Sequence, residues 1–350
     1  MNLVIKDHYD VDTWNNFSLT LKYDSIASSF GFDLYFDPND SDAREMFQVG
    51  HYHIANVFHN GELLISGFLL NHKFKLTSTK NLSNLSGYSK AGVLGDCQIP
   101  TSLYPLQSDG LTLIQIAAKL CAPFKIKIVV DERVRAKVNS VYEKSTASEG
   151  QTVADYLSSL ASQKDVVLSH EPDGSLVFTE ARVDSLPFYH FDGTDPATSM
   201  ELDFNGQNMH SHITLQKQAS TDGGNAGEQT VRNPFVPFVF RPSVKTQNSG
   251  GDNDTNDAVK NALKDELKNI RLTIEVPTWT LNDIIIKPNR IITVISPELY
   301  LYKVTKWFIE EVTFSGNEKA QTCKLSCVLP EVYSGKTPDY IFQSQFNKGH

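Results

Sequence analysis

The sequence is poor in cysteine, and its cysteines are scattered. Its 350 residues include 4 cysteines, at Cys97, Cys121, Cys323 and Cys327. A disulfide-stabilised scaffold needs a far denser pattern, so that class is excluded. Cys323 and Cys327 have a metal-like spacing, but the stretch from Thr322 onward alternates like a strand and places both sulfurs on one face. We therefore interpret this pair as packing residues.

The sequence also has no long apolar run, and we expect no signal peptide in its first residues. No stretch reaches the roughly 18 apolar residues that a membrane-spanning helix needs. The first residues, Met1 to His8, do not resemble a signal peptide. We expect a protein without membrane insertion that is made and kept in the cytoplasm, or leaves it by lysis.

The chain has fewer basic than acidic residues. Lys and Arg number 32 against 41 Asp and Glu, which gives a formal net charge of -9. A protein that holds nucleic acid by neutralising phosphates is therefore disfavoured. The charge would suit a surface past which DNA slides without sticking, and many cytosolic proteins are equally acidic.

Recognisable catalytic motifs are missing as well. There is no phosphate-binding loop, no His-Glu-x-x-His helix and no Gly-x-Ser-x-Gly elbow, and Gly92 to Gly95 is interpreted as a turn. His51 with His53, and His210 with His212, have the i, i+2 spacing of a metal pair on one strand face, although an exposed polar face explains each pair better.

The carboxylates form no obvious acid–base pair. Glu310 and Glu311 point to opposite faces of one predicted strand, and Asp33 and Asp203 are interpreted as outward-facing strand residues. We predict no catalytic, cofactor-binding or metal site.

Alternating strands dominate the first hundred residues. Phe17, Leu19 and Leu21 face one side, and a second alternating run covers 30–36. Two further strands, at 48–58 and 63–69, flank Asn60-Gly61, which is the signature of a type I′ hairpin. We predict that residues 1–100 form a barrel-like antiparallel β domain, built before any helix appears.

The chain then changes character. Helical spacing over 108–121 follows a Ser108-Asp109 pair suited to capping, and a second helix is predicted over 148–161. Three predicted strands accompany these helices, at 125–130, 166–171 and 175–179. Residues 101–184 are therefore predicted to be a small α+β insert domain.

Strand patterns return from residue 185 to residue 333, where we predict a second barrel-like β domain. A long irregular insertion is predicted at 219–256, yet its Phe235–Phe240 stretch is too apolar for a plain linker and should lie against something. An amphipathic helix is predicted at 257–270, and residues 334–350 read as a C-terminal arm.

Aromatic and basic residues alternate between Tyr300 and Phe308. Such a stretch can serve as a nucleic-acid or glycan platform, but the apolar alternation favours a core strand, whose exposed aromatics could equally serve a subunit interface.

The order of these parts resembles the baseplate hub proteins of contractile-tailed, Mu-like bacteriophages, a late-control tail protein family related to the N-terminal part of type VI secretion spike proteins. Four passages carry the resemblance. They are the opening Trp14–Leu34 hairpin; Gly61–Phe68; Ser86–Cys97 followed by Leu111–Ile128; and Glu149–Leu157 with Asp173–Phe178. The stretch 219–256 departs from the family pattern.

The resemblance implies a structural protein without enzymatic activity in the tail baseplate of the virion. It would form a homotrimeric ring that adapts the six-fold tail tube protein to the three-fold central spike protein, beside neighbouring baseplate proteins. DNA would be passing cargo only, and no cofactor is implied.

Two alternatives stay open. One is the hub of a phage-derived contractile injection particle, which differs by lacking a packaged genome. The other is a tail-associated carbohydrate-binding module or a wall-degrading enzyme, which should carry exposed loop aromatics or a catalytic cluster, respectively.

Overall fold

A computed structural model describes most of the chain. The described residues are 1–6, 9–11, 13–78, 81–193, 195–217, 228–247, 255–317 and 319–342. They divide into two units: Met1–Glu180 with Val312–Cys323, and Ala181–Glu311 with Lys324–His350.

The first unit begins with strands and continues into a mixed region. Its strands are β1 (Asn2–Ile5), β2 (Tyr9–Val11), β3 (Asn16–Lys22), β4 (Ser29–Tyr35), β5 (Ile54–His59), β6 (Glu62–Leu76), β7 (Asn81–Ser89), β8 (Ile128–Val130), β9 (Val167–His170) and β10 (Leu176–Thr179). Its helices are α1 (Ser41–Met46), α2 (Val93–Asp96), α3 (Leu113–Cys121), α4 (Arg135–Val138) and α5 (Val153–Gln163). Single 3-10 turns lie at Lys90–Gly92, Thr101–Leu103, Ala122–Phe124 and Glu132–Val134.

The first strands of this unit form one antiparallel sheet in the order β2-β1-β5-β6-β7-β4-β3. Alternate side chains of β3 and β4 are buried, and the rings of Phe17 and Phe32 stack at 5.6 Å. The predicted hairpin is present, since Asn60 and Gly61 both have positive φ, 49° and 80°, between β5 and β6.

Strands β6 and β7 approach each other closely at two glycines. A Cβ atom on Gly67 would lie 2.0 Å from the Tyr88 carbonyl oxygen, and one on Gly87 would lie 1.8 Å from that of Phe68. The ring of Phe30 packs against the same place, 3.0 Å from both ideal Cβ positions. Only glycine is compatible with this contact.

Three predictions for the first hundred residues are corrected. Strand β5 starts at Ile54 rather than at 48, because Gly50 and Tyr52 have positive φ and interrupt the extended backbone. Helix α1 lies between β4 and β5, so the prediction that no helix appears within the first β domain is wrong. Asp40 is the N-cap of this helix. Gly92 to Gly95 spans a 3-10 turn and helix α2 rather than an isolated turn.

The mixed region of the first unit has its own core. Strands β8 and β10 are parallel, β10 and β9 are antiparallel, and buried residues of α3 and α5 join this core together with Ala91 and Leu94. The predicted turn before β10 is present, with Gly174 at φ 85°. His170 Nδ1 lies 2.9 Å from the Ser25 carbonyl oxygen, and Ser169 donates to the Tyr23 carbonyl.

Both predicted helices of this region start later than expected. Thr112, not the Ser108-Asp109 pair, caps α3, through a capping box in which Gln115 is the reciprocal partner. The Asp109 carboxylate instead accepts a hydrogen bond from the Ser145 backbone at 2.8 Å. Helix α5 begins at Val153 with Thr152 as its cap.

The second unit is also strand-rich. Its strands are β11 (Tyr189–Phe191), β12 (Ser199–Phe204), β13 (His212–Lys217), β14 (Glu228–Arg232), β15 (Pro242–Gln247), β16 (Ile270–Val276), β17 (Thr280–Leu281), β18 (Ile284–Ile285) and β19 (Arg290–Ser296), followed by β20 (Leu301–Asn317) and β21 (Gln321–Val328), which both continue into the residue range of the first unit. Its helices are α6 (Thr255–Leu267) and α7 (Glu331–Ser334), and 3-10 turns lie at Gly206–Asn208 and Pro297–Leu299.

Two larger sheets organise the described part of the second unit, beside the two-stranded β17-β18 pair. One has the order β12-β16-β21-β20-β19-β11, with β11 parallel to β19. The other has the order β14-β13-β15, with β15 parallel to β13, and α6 packs on it through Val259, Leu263 and Leu267. The mainly β fold with an α+β region, predicted from the sequence, is confirmed.

Two predictions for the second unit are wrong. The stretch 219–256 is not irregular throughout, because β14 and β15 lie within it; 219–227 and 248–254 fall outside the described residues. Helix α6 ends at Leu267 rather than at Ile270, which begins β16.

The hairpin turn gives a first test of the fold. Replacing Gly61 by Ala forces a side chain into the left-handed region and should lower the free energy of unfolding by about 1–2 kcal/mol. The matched change Gly95→Ala lies in a helix, where the new Cβ meets only Ile26 at 3.6 Å, and should cost nothing. Denaturant unfolding of both variants makes the comparison, and equal stability would contradict the turn geometry.

The capping box gives a second test. Thr112→Ala removes the hydroxyl that accepts from the Gln115 backbone at 3.3 Å and should cost about 1 kcal/mol. Thr112→Ser keeps that hydroxyl and should retain most of the stability. If both variants unfold at the same denaturant concentration, the cap does not act as described.

Candidate assembly surfaces

The histidine pairs lie in different surroundings from those predicted. His51 and His53 precede β5, and Tyr52 between them has φ 49°, so the prediction that they share a strand face is wrong. Their rings meet edge to face at 5.3 Å, and His53 Nε2 lies 3.2 Å from the Glu45 carbonyl oxygen.

His210 belongs to a buried polar network. Its Nδ1 lies 2.8 Å from Glu266 Oε1, its backbone N–H donates to Oε2 at 2.8 Å, and Asn233 donates to the same oxygen at 3.3 Å. The Glu266 side chain is only 7% exposed, so these contacts satisfy a buried carboxylate. His212 is separately hydrogen-bonded to the Ser211 hydroxyl at 2.9 Å. His210 and His212 therefore have different hydrogen-bond partners.

The cysteines are positioned as packing residues. Cys121, Cys323 and Cys327 are fully buried. Burial raises the pKa of the Cys121 thiol to about 12 and that of Cys323 well above its usual range, which keeps both thiols protonated and poor metal ligands. Within the described ranges, no three His, Cys, Asp or Glu side chains are grouped so that they could hold a metal ion.

The carboxylates singled out in the sequence have structural partners or face outward. Glu310 accepts hydrogen bonds from Arg271 at 3.0 Å and from the Tyr333 hydroxyl at 2.7 Å, which connects β20 with β16 and α7. Asp33 accepts from Asn84 at 2.7 Å on the outer face of the sheet, and Asp203 is exposed. These contacts explain the residues without catalysis.

The Tyr300–Phe308 stretch is a core strand with an exposed start. Trp307 and Phe308 are fully buried, whereas Tyr300 precedes β20 and is largely exposed beside Tyr302, with the two ring centroids 5.3 Å apart. The prediction of a core strand is confirmed.

Exposed aromatic side chains cluster on the connection between β14 and β15. Phe235, here called the anchor, is buried against Tyr340 and Phe342 of the C-terminal arm, with ring centroids 5.9 and 5.8 Å away. Phe238–Phe240, here called the tip, is exposed. The expectation that this stretch lies against something is met by the anchor, whereas in the tip the Phe240 ring lies 5.5 Å from the His212 ring and stays largely exposed.

The base of the tip is fixed by hydrogen bonds. The Asn233 side chain accepts from the Phe235 backbone at 3.0 Å, and the Arg241 guanidinium donates to the carbonyls of Gly206 and Gln207 at 2.7 and 2.9 Å. The apolar tip is therefore supported from both of its ends.

A groove of about 490 Å³ lies beside the tip. It is lined almost entirely by apolar and aromatic residues, namely Leu202, Phe204, Phe235, Pro237, Phe238, Glu298, Leu299, Tyr300, Tyr340 and Phe342. The Phe204 ring meets Phe342 edge to face at 5.7 Å. The tip and this groove together are called the aromatic patch.

The first unit offers two further surfaces. The end of the β6–β7 pair exposes Phe74 and Leu76. A cleft elsewhere on the unit is lined by both polar and apolar residues, and there the Tyr88 hydroxyl donates to Asp96 at 2.5 Å. Burial, and then this hydrogen bond, raise the pKa of Tyr88, so the hydroxyl stays protonated.

Comparison with known proteins points to one class. Residues 91–180 match the family model of the gp44-like baseplate hub protein, second domain. No curated protein sequence matches the chain. The matched range begins at Ala91, which joins the core of the mixed region. The resemblance to baseplate hub proteins that the sequence motifs indicated is thereby confirmed.

Solved structures share the fold across the whole chain. The 43 kDa tail protein of prophage MuSo2 from Shewanella oneidensis is 19% identical, with 95% of this chain and 98% of that chain covered and a TM-score of 0.80. The tail protein from Neisseria meningitidis MC58 is 20% identical, with 96% and 98% covered and a TM-score of 0.77.

A type VI secretion component shares the fold more distantly. An Escherichia coli protein described as similar to bacteriophage T4 tail proteins gp27 and gp5 is 9% identical, with 97% of this chain and 80% of that chain covered and a TM-score of 0.57. The chain thus has the fold of these phage tail proteins and of a type VI secretion system component. None of the described helices is long and apolar enough to cross a membrane.

The sequence did not indicate that the anchor would be buried and the tip exposed. The apolar composition of 235–240 was a usable signal, but nothing local distinguishes Phe235 from Phe238. The distinction depends on Tyr340 and Phe342, which are remote in sequence.

Anchor and tip should differ sharply in their effect on stability. Phe235→Ala empties a buried site and should lower the free energy of unfolding by about 3 kcal/mol or more. Phe238→Ala removes a side chain that is mostly in solvent and should change it by less than about 0.5 kcal/mol. Denaturant unfolding of the two matched variants measures the difference, and a similar loss in both would contradict the assignment of anchor and tip.

Proposed function

We propose that this protein is the structural hub of a phage tail baseplate and is located in the virion. The observation that carries the proposal is the match of residues 91–180 to the second domain of baseplate hub proteins. The fold shared with two tail proteins over nearly their whole length supports it.

The proposal includes a specific assembly. Three copies form a ring that joins the six-fold tail tube to the three-fold central spike, contacts neighbouring baseplate proteins and lets DNA pass through its centre. In this arrangement 1–100 and 185–333 act as two related β domains, so that three chains present six similar elements to the tube. The segment 101–184 acts as the insert and 334–350 as an arm.

The role is architectural rather than enzymatic. The groups that sequence patterns indicated for chemistry are hydrogen-bonded or buried in structural contacts, as at His210, Glu310 and Cys323. The acidic net charge of -9 is compatible with DNA that passes and is not retained.

Native mass measurement and negative-stain imaging of the purified chain test the assembly. We expect three copies in a ring with a central hole, because a hub must match a three-fold spike. A strict monomer at every concentration would contradict self-assembly of the ring.

The hub role has a separate test. Antibody raised against the purified protein should label isolated tails at the end distal to the head. Label along the tube, or on no tail structure, would contradict the baseplate position whatever the oligomeric state of the free protein.

A further inference from the structure

The aromatic patch leaves a large apolar surface exposed to solvent. The exposed fractions are 90% for Phe238, 77% for Phe240, 58% for Val239, 52% for Tyr300 and 41% for Phe204. Since a fully exposed aromatic side chain offers on the order of 200 Å², the four aromatic residues expose roughly 500 Å². Phe204, Phe238 and Tyr300 line one groove, and an apolar patch of several hundred Å² is often a functional contact surface.

The size of the patch indicates a protein partner. A stable interface buries about 800 Å² on each side, with an apolar centre and a polar rim. The exposed aromatic area is of the size expected for such a centre. Phe and Tyr side chains at the centre of an interface contribute most of the binding energy when they fill a pocket.

The composition of the patch restricts the chemistry of the partner. Among the described residues that line the groove, Glu298 is the one that carries a charge. Without cationic side chains at its centre, the patch is unsuited to DNA or to an anionic lipid surface. Its partner must present an uncharged, apolar surface.

The shape of the patch supplies both halves of such a contact. The tip is exposed and is held at its base by Asn233 and Arg241, so little conformational entropy is lost when it binds. The groove beside it is lined by aromatic and leucine side chains of the kind that receive a phenylalanine ring. One surface thus carries exposed phenylalanine side chains and an apolar groove, and Phe238 belongs to both.

We propose that the aromatic patch is the contact surface between copies of this chain, with the tip of one copy inserted into the groove of the next. Near a three-fold axis, one patch meets the patches of two neighbours, so its tip and its groove engage different copies. This inference rests on the trimeric assembly proposed above and assigns a surface to it.

A substitution experiment tests the surface. The double variant Phe238→Ser with Phe240→Ser should weaken self-association at least 100-fold, as measured by sedimentation velocity over a concentration series. The matched control Phe74→Ser with Leu76→Ser changes exposed apolar residues of the first unit and should leave the association unchanged. Unfolding curves that match the wild type show that both variants fold.

Cross-linking tests the geometry without weakening the interface. Phe238→Cys and Leu299→Cys are prepared as single variants and mixed under mild oxidation. We expect a disulfide-linked product that contains one chain of each variant, because the tip and the groove meet across copies. A mixture of Leu76→Cys with Leu299→Cys is the control and should give no such product.

Three results would overturn the proposal. They are self-association unaffected by the tip substitutions, the absence of the mixed disulfide product, and a wild-type chain that stays monomeric up to about 100 µM. If the wild type is monomeric and the tip substitutions abolish binding to purified tail tube protein, the patch serves a different partner. Antibody labelling of tails is independent of the patch, so the hub role can stand if this inference fails.

Discussion

The close backbone contact between β6 and β7 constrains much of the first unit. Gly67 and Gly87 permit it, because any side chain at either position would overlap a carbonyl of the opposite strand. The contact lies within the long strand pair, which has β5 on one side and β4 on the other. Two glycines therefore permit the close pairing at the centre of this sheet.

Sequence patterns predicted the elements whose causes are local. The alternation of β3 and β4 and the Asn60-Gly61 turn are each decided by a few neighbouring residues, and the structure has them. Strand β15 could not be found in this way. Its parallel pairing with β13 is not local, and its exposed, polar residues follow no apolar alternation. The predicted start of β5 was wrong because Tyr52 has a positive φ, which the apolar pattern of the sequence does not reveal.

The candidate surface shows the same limit. The apolar composition of 235–240 indicated a contact. Only the folded structure shows which of these residues remain exposed. Phe235 is buried because the C-terminal arm covers it, whereas Phe238 is 90% exposed in the described part of the chain. Residues singled out for chemistry, such as His210 and Glu310, proved to be satisfied by partners far along the chain.

The C-terminal arm gives the second unit an unusual evolutionary constraint. Tyr340 and Phe342 cover the anchor and also form a wall of the groove. A substitution that reshapes the groove for a new partner therefore also alters the packing that holds the unit together. Affinity and stability cannot drift independently at these positions, so changes in the arm should be accompanied by compensating changes at Phe235.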